Sequence, residues 1–236
     1  MNDSPTHDPV VEQLLAQLRA TRRAERDIFG GLDPAVRDRP MREGDWSPKD
    51  HQAHLTAWKA RQADRLEAAR LGREPQTDDR EDDEINAELQ ATRAEWDWES
   101  IAAEADELSA RLETELRAID PAVLRASDRL VGSTYGNGPF HALTHFGWLV
   151  EANIGTDEAR LAAFVDEVER LLSAGQLSDV DRGTGLYNMA CAHALAGRLD
   201  RARPLLREAF GLRPQLREWA ESDSDLESLR GELAEF

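Results

Sequence analysis

Residues 46–58 read Trp-Ser-Pro-Lys-Asp-His-Gln-Ala-His-Leu-Thr-Ala-Trp, and they carry the clearest helix-start signal in the N-terminal part of the chain. Ser47 is a favourable N-cap residue, and Pro48 suits the first helical position because an N–H group would have no helical partner there. Asp50 completes an S-x-x-D capping box, in which cap and third helical residue satisfy each other's backbone N–H groups. These signals predict a helix that begins at Pro48 and runs to about Leu71.

Three further segments carry apolar residues at helical spacing, and none shows the alternation that is typical of a β-strand. They are residues 9–29, 84–119 and 139–154. A polar, acid-rich loop at 73–83 and a long connection at 120–138 lie between the predicted helices. Together with the helix after Ser47, these segments predict an all-α fold, a four-helix bundle with room for a long crossover connection.

Three histidines on these helices are candidate metal ligands. His141 and His145 are four residues apart, which places both imidazoles on one helical face. His54 shares a face with Leu55 and Trp58 on the second helix, and this face is predicted to point into the bundle. Neutral imidazole suits zinc, nickel, copper or iron, and three protein ligands leave coordination positions open for water or a substrate.

The H-x-x-x-H spacing also fits a second interpretation, in which the histidines are partly buried and satisfied by hydrogen bonds. Spacing alone favours this interpretation over metal binding. His51 lies three residues before His54. It is either a residue that contacts a metal ligand without binding the ion, or a surface residue, and we expect it at the surface. His7 falls in the N-terminal tail, and His193 fills a packing position of a C-terminal helix.

The stretch at 46–58 and the H-x-x-x-H pair together resemble the signature of the DinB-like superfamily, which includes the N-terminal domain of mycothiol-dependent maleylpyruvate isomerase. The resemblance covers residues 8–155. It implies a four-helix bundle that holds a divalent metal ion with His54, which precedes a leucine, and with His141 and His145. A similar stretch occurs in the colibactin self-protection family, whose bundles are related, but the paired histidines fit the metal-binding branch better.

This resemblance implies reactions that depend on a low-molecular-weight thiol. We therefore expect a metal-dependent S-transferase, isomerase or hydrolase that acts on a small-molecule substrate, with zinc or nickel as cofactor and a thiol as cosubstrate. Whether the protein is an enzyme stays open, because no serine, cysteine or glutamate stands out as nucleophile or base. The alternatives are a non-catalytic binding module and a stress or self-protection protein that hydrolyses or sequesters a reactive molecule. A homodimer is compatible with each of them.

The C-terminal part has a different character. Residues 187–214 resemble one tetratricopeptide repeat, with Gly197 at the turn between two helices and Pro214 at its end. A single repeat cannot bury both of its faces. We expect either a groove for a protein partner or, as the favoured alternative, a helical extension packed against the bundle or another subunit. The predicted domains are residues 1–155 and 156–236.

The charge of the chain argues against nucleic-acid partners. Its 29 basic and 47 acidic residues give a formal net charge of −18, which is the wrong sign for phosphate backbones and for anionic membranes. Cys191 is the single cysteine, so no internal disulfide forms. No segment has the pattern of a secretory signal or of a transmembrane helix, and we expect a cytoplasmic protein.

Overall fold

All regular secondary structure in the described residues is helical, as the sequence predicts. The computed structural model describes residues 8–41, 46–76, 78–174 and 177–236. Its α-helices are α1 (Pro9–Phe29), α2 (Pro34–Arg37), α3 (Pro48–Arg70), α4 (Asp82–Ala91), α5 (Trp98–Ala118), α6 (Pro121–Arg125), α7 (Asp128–Tyr135), α8 (His141–Glu151), α9 (Glu158–Leu172), α10 (Asp179–Leu195), α11 (Leu199–Leu212) and α12 (Leu216–Ala220). A π-helical turn at Gly136–Phe140 joins α7 to α8, and a 3₁₀-helix at Ser224–Glu235 follows α12.

Helix α3 begins as its sequence signals predict. The Ser47 hydroxyl oxygen accepts a hydrogen bond from the Asp50 backbone N–H at 3.1 Å. The Asp50 carboxylate in turn accepts one from the Ser47 backbone N–H at 2.9 Å. This reciprocal capping box fixes the first turn of the helix. It thereby sets the direction in which the side chains of the following turn, including His51 and His54, leave the helix.

The core of the N-terminal unit lies between α1, α3, α5 and α8. Helix α3 packs against the other three, and α1 also packs against α5 and α8. Side chains with almost no solvent exposure fill the space between them: Leu14, Leu15, Ile28, Phe29, Leu55, Leu66, Ile101, Leu112, Leu116 and Phe146. Burial of each such side chain contributes about 1.5–3 kcal/mol relative to exposure. The predicted all-α bundle is therefore confirmed.

The helical region predicted over residues 84–119 consists of two helices. Helix α4 ends at Ala91, and α5 begins at Trp98. Asp97 lies immediately before α5, and its carboxylate accepts a hydrogen bond from the Ser100 backbone N–H at 2.8 Å. An aspartate in this position satisfies an N–H group at a helix start. Asp97 thus caps the start of a separate helix within the predicted helical region.

The long connection at 120–138 is also more regular than its sequence predicts. It forms the short helices α6 and α7. The Asp120 carboxylate accepts the Ala122 N–H at 2.8 Å, and the Ser127 hydroxyl accepts the Leu130 N–H at 3.2 Å. Each helix therefore has its own side-chain cap, which stabilises a short helix that weak periodicity does not reveal.

The π-helical turn determines where α8 starts. Gly138 departs from helical geometry within it, with φ −98° and ψ −112°. A Cβ atom at this position would lie 3.0 Å from the Leu18 side chain on α1, so a glycine permits the close approach of the turn to α1. The turn ends immediately before His141. It therefore places the first candidate ligand of α8, and π-helical turns of this kind are frequent at functional sites.

The chain divides into two compact units, the first extending to Phe164 and the second starting at Val165. The division falls within α9. In the C-terminal unit, α10 packs against α11 and against the 3₁₀-helix, and Ala190 and Leu206 are fully buried. The resemblance of this unit to a tetratricopeptide repeat and the domain boundary after residue 155 both stay predictions.

Candidate metal centre

Three histidines from two helices converge in the N-terminal unit. His54 lies on α3, and His141 and His145 lie at the start of α8. The Nε2 atoms of His54 and His141 are 2.9 Å apart, and one ring nitrogen from each of the three lies within 4.8 Å of the others. We call these three residues the histidine group. The structure thus brings together the residues that the sequence singles out as ligands.

The histidine group fits a divalent ion in the kind and spacing of its donors. In a tetrahedral zinc site with Zn–N bonds of about 2.0–2.1 Å, the ligand nitrogens lie about 3.3–3.4 Å apart. The observed separation of 2.9 Å and the 4.8 Å limit of the group bracket that value. All donors are imidazole nitrogens, which suit zinc and nickel. The group could therefore hold one ion, and metal binding by these residues stays a prediction.

Burial keeps these imidazoles neutral, which is the form that binds metal. Burial, followed by the effects of His141 and His51, lowers the pKa of His54 to about 3. Burial, followed by the nearby Lys59 ammonium, lowers the pKa of His141 to about 4. Burial also holds the pKa of His145 well below its usual range. Each ring therefore keeps a nitrogen lone pair for coordination at neutral pH.

The expectation that His51 lies at the surface is wrong. Its side chain is 4% exposed, and its Nδ1 lies 2.6 Å from the Nδ1 of His145. Residues three apart on a helix are neighbours on one face, so α3 turns His51 inward together with His54. His193 is buried on α10 in the C-terminal unit. His7 lies outside the described residues.

The histidine group lines a cleft with aromatic walls. The ring centroids of Trp46 and His54 are 4.8 Å apart, and those of Trp148 and His145 are 4.7 Å apart. The cleft has a volume of about 820 Å³, which is in the range of small-molecule sites. Its other lining residues are Met41, His51, Asp83, Asn86, Ala87, Gln90, His141, Thr144, Glu151 and Ala152.

Trp58 connects the histidine group to helix α4. Its ring meets those of His54 and His141 edge-on, with centroids 6.2 and 6.3 Å away. Its indole N–H donates a hydrogen bond to the Asn86 side chain at 3.1 Å. Asn86 is one of the residues that line the cleft. This hydrogen bond therefore holds one wall of the cleft in place relative to the histidines.

A buried ion pair near His141 escaped the sequence analysis. The Lys59 ammonium on α3 contacts the Glu25 carboxylate on α1, and both side chains are buried. Gln52 and Arg22 also donate hydrogen bonds to Glu25, at 3.4 and 3.3 Å. Burial lowers the pKa of Lys59, and Glu25 opposes this shift. Lysine and glutamate are rarely fully buried unless they are paired, so their residue types alone do not indicate this ion pair.

A second group of potential ligands, which we call the Cys191 group, consists of Cys191, Asp223 and Asp225 in the C-terminal unit. One ligand atom from each lies within 4.8 Å of the others. The Tyr187 hydroxyl donates to Oδ2 of Asp223 at 2.6 Å, and the Cys191 thiol donates to the same oxygen at 3.8 Å. The Asp225 N–H donates to Oδ1 of Asp223 at 3.0 Å. Burial, with the nearby carboxylates adding to it, raises the pKa of Cys191 far above its usual range.

A helical bundle with three histidines converging on an open cleft has the features of a metal-binding bundle protein. The family model of the DinB superfamily matches residues 17–155, a span that includes the whole histidine group. Because the match covers more than half of the chain, the protein belongs to the DinB superfamily. No curated protein and no solved structure matches the chain. Among the described residues, no helix combines the length and apolarity needed to cross a membrane.

Proposed function

We propose that this protein is a metal-dependent enzyme of the S-transferase or isomerase type, which acts on a small molecule with a low-molecular-weight thiol as cosubstrate. The observation that carries this proposal is the convergence of His54, His141 and His145 on an open cleft. Three protein ligands leave room for an exogenous ligand. Zinc or nickel bound there would keep a positive charge that neutral imidazoles do not compensate, and this charge favours a thiolate.

The cleft walls suit the organic part of such a substrate. Trp46 and Trp148 provide flat apolar surfaces beside the histidine group, and the Trp148 side chain is 42% exposed. Asn86, Gln90 and Thr144 add amide and hydroxyl groups along the same cleft. Aromatic surfaces beside polar groups in fixed positions can bind and orient a small organic ligand. These residues would therefore hold the substrate while the histidines hold the ion.

The charge of the cleft discriminates among thiols. Its described lining includes the carboxylates of Asp83 and Glu151 and no lysine or arginine. Like charges repel, so a thiol that carries carboxylates binds less well here than a neutral one. Glutathione carries two carboxylates, whereas mycothiol carries none. We therefore expect mycothiol to bind more tightly than glutathione.

The proposal is tested by titrating mycothiol, bacillithiol and glutathione into the full-length protein loaded with cobalt. A thiolate bound to cobalt gives a charge-transfer absorption band, so binding is read out directly. We expect the band with mycothiol in the wild type and its loss in His54→Ala. The Cys191→Ser variant is the matched control, because it removes the protein's own thiol and should keep the band.

Two results would contradict the proposal in different ways. A cobalt-loaded wild type that gives no band with any thiol would exclude a thiol cosubstrate and leave hydrolysis, by activation of a water molecule, as the remaining metal-dependent function. A band that persists in His54→Ala would show that the thiol binds away from the histidine group. A separate assay tests the transfer itself. If the wild type consumes thiol together with an electrophilic small molecule and His54→Ala does not, transfer at the histidine group is established.

A further inference from the structure

His51 lies beside the histidine group without belonging to it. It is on α3, one turn before His54, and it lines the same cleft. The rings of Trp46 and Trp148 flank it, with centroids 5.5 and 5.7 Å from its own. The three ring nitrogens that lie within 4.8 Å of one another do not include one from His51. Its position therefore indicates a role beside the ligands and not as one of them.

The contact between His51 and His145 requires a defined arrangement of protons. Their Nδ1 atoms are 2.6 Å apart, and the two rings meet at an interplanar angle of 69°. A hydrogen bond between two neutral imidazoles has one N–H donor and one lone-pair acceptor. When Nδ1 of His145 is the donor, its Nε2 keeps the lone pair that coordination needs. When Nδ1 of His145 is the acceptor, its Nε2 carries the proton and cannot coordinate.

We propose that His51 is a positioning residue, which accepts a hydrogen bond from Nδ1–H of His145 and so holds His145 in the tautomer whose Nε2 binds the metal ion. Metal-ligating histidines almost always donate their second ring N–H to a partner, and that partner fixes both tautomer and ring orientation. Carboxylates and backbone carbonyls are the usual partners; here an imidazole takes this place. The role rests on the metal site proposed above.

The ligand on α3 differs at the corresponding atom. Among the described residues, the buried Nδ1 of His54 has no hydrogen-bond partner. Both rings pack against a tryptophan, His54 against Trp46 and His145 against Trp148. The hydrogen bond at Nδ1 is thus a feature of His145 that His54 lacks. Loss of the His51 imidazole should therefore act on the coordination of His145 and leave the placement of His54 unchanged.

Two variants of the full-length protein separate the hydrogen bond from the volume of the side chain. His51→Leu fills the space without an acceptor, whereas His51→Asn places its amide oxygen near the position of Nδ1. Zinc affinity is measured by competition with a chelator, and the cobalt-loaded spectra report ligand geometry. We expect His51→Leu to weaken zinc binding by about 10–100-fold and to shift the cobalt spectrum. His51→Asn should restore most of the affinity, which a purely structural role would not predict.

Each outcome of this experiment has one meaning. Equal zinc affinity and equal cobalt spectra in the wild type and His51→Leu would overturn the role of His51, and binding that is still lost in His54→Ala would leave the metal site itself standing. An equal loss in His51→Leu and His51→Asn would also overturn it, because an acceptor would then not suffice. A wild type that binds no zinc would overturn the proposed metal site instead.

A measurement on the metal-free wild type covers the case in which His51→Leu does not fold. Nitrogen-15 chemical shifts distinguish the two neutral tautomers of a histidine ring. A proton on Nδ1 of His145 supports the proposed role. A proton on Nε2 of His145 would overturn it, because His51 would then hold the ring in the tautomer that cannot coordinate.

Discussion

The histidine group and the Cys191 group each bring three potential ligand atoms close together, yet their chemical environments differ. In each, one atom from each of three residues lies within 4.8 Å of the others. Burial of the histidine group favours neutral imidazole, the form that coordinates. Burial of the Cys191 group favours the protonated thiol, the form that does not.

The difference shows that burial can favour the metal-binding form of one group of ligands and disfavour that of another. Desolvation disfavours whichever form is charged, and the metal-binding form is neutral for imidazole and charged for a thiol. Hydrogen bonds reinforce the contrast. The Asp223 carboxylate already accepts from Tyr187, Cys191 and the Asp225 backbone, whereas the histidine group faces a cleft. We therefore expect metal at the first group and structural hydrogen bonding at the second.

Matched substitutions in the two groups should give the largest contrast. His54→Ala removes one of the three proposed ligands, and we expect zinc affinity to fall by more than about 100-fold, since changes beyond the ligand shell alone cost about 10–100-fold. Asp223→Asn should leave the affinity and the stoichiometry unchanged. Chelator competition on both full-length variants provides the measurement. A loss of zinc binding in Asp223→Asn would place the ion at the Cys191 group and reverse the comparison.

The second prediction concerns stability, which we expect to depend on Asp223 in the Cys191 group. Asp223→Ala takes the acceptor away from Tyr187 and Cys191 and removes the cap of the 3₁₀-helix. We expect it to lower the free energy of unfolding by about 2 kcal/mol, as hydrogen bonds to a charged group and helix caps contribute on this scale. Asp223→Asn keeps an acceptor and should cost less. Urea denaturation of metal-free protein measures both, and an unchanged midpoint in Asp223→Ala would contradict the structural role.

The smallest expected effect per substituted residue is on the pH dependence of stability, to which each member of the histidine group contributes one share. In the unfolded chain histidines take up protons near pH 6.5, whereas the folded pKa values are about 3 for His54 and about 4 for His141. As the pH falls from about 6.5 to 5, the unfolded state therefore binds more protons, and the free energy of unfolding of the metal-free protein decreases. Each such histidine contributes up to about 1.4 kcal/mol per pH unit.

Substitutions show which residues cause this dependence of the free energy of unfolding on pH. His141→Gln, which cannot titrate, should remove one share of the slope between pH 6.5 and 5 when urea denaturation is repeated across that range. Tyr187→Phe in the Cys191 group should leave the slope unchanged, because burial raises the pKa of Tyr187 even further above this window. The same slope in His141→Gln and the wild type would show that His141 does not titrate as its burial requires.

The parts of the fold that the sequence predicts are those set by local interactions. Ser47, Pro48 and Asp50 act within one helical turn, so the start of α3 is readable from their order. The spacing of His141 and His145 places them on one helical face for the same reason. The resemblance at residues 46–58 implied that His54 is the third residue of the same site, and the structure places all three close together.

The remaining features depend on tertiary contacts that no local pattern contains. Gly138 forms its π-helical turn against Leu18, which is far away in sequence. His51 is buried because His145 lies opposite it, and Lys59 is buried because Glu25 on another helix balances its charge. In each case the partner is distant along the chain, so the local pattern does not contain the contact that determines the environment of the residue.

X-ray absorption spectroscopy of the untagged full-length protein, loaded with one equivalent of zinc, tests the metal centre most directly. The structure predicts first-shell nitrogen scatterers at about 2.0–2.1 Å, with the outer-ring scattering that three histidines produce and with no sulfur. A sulfur scatterer at about 2.3 Å would place the ion on Cys191 and contradict the histidine site. A shell made of oxygen without imidazole scattering would contradict it equally.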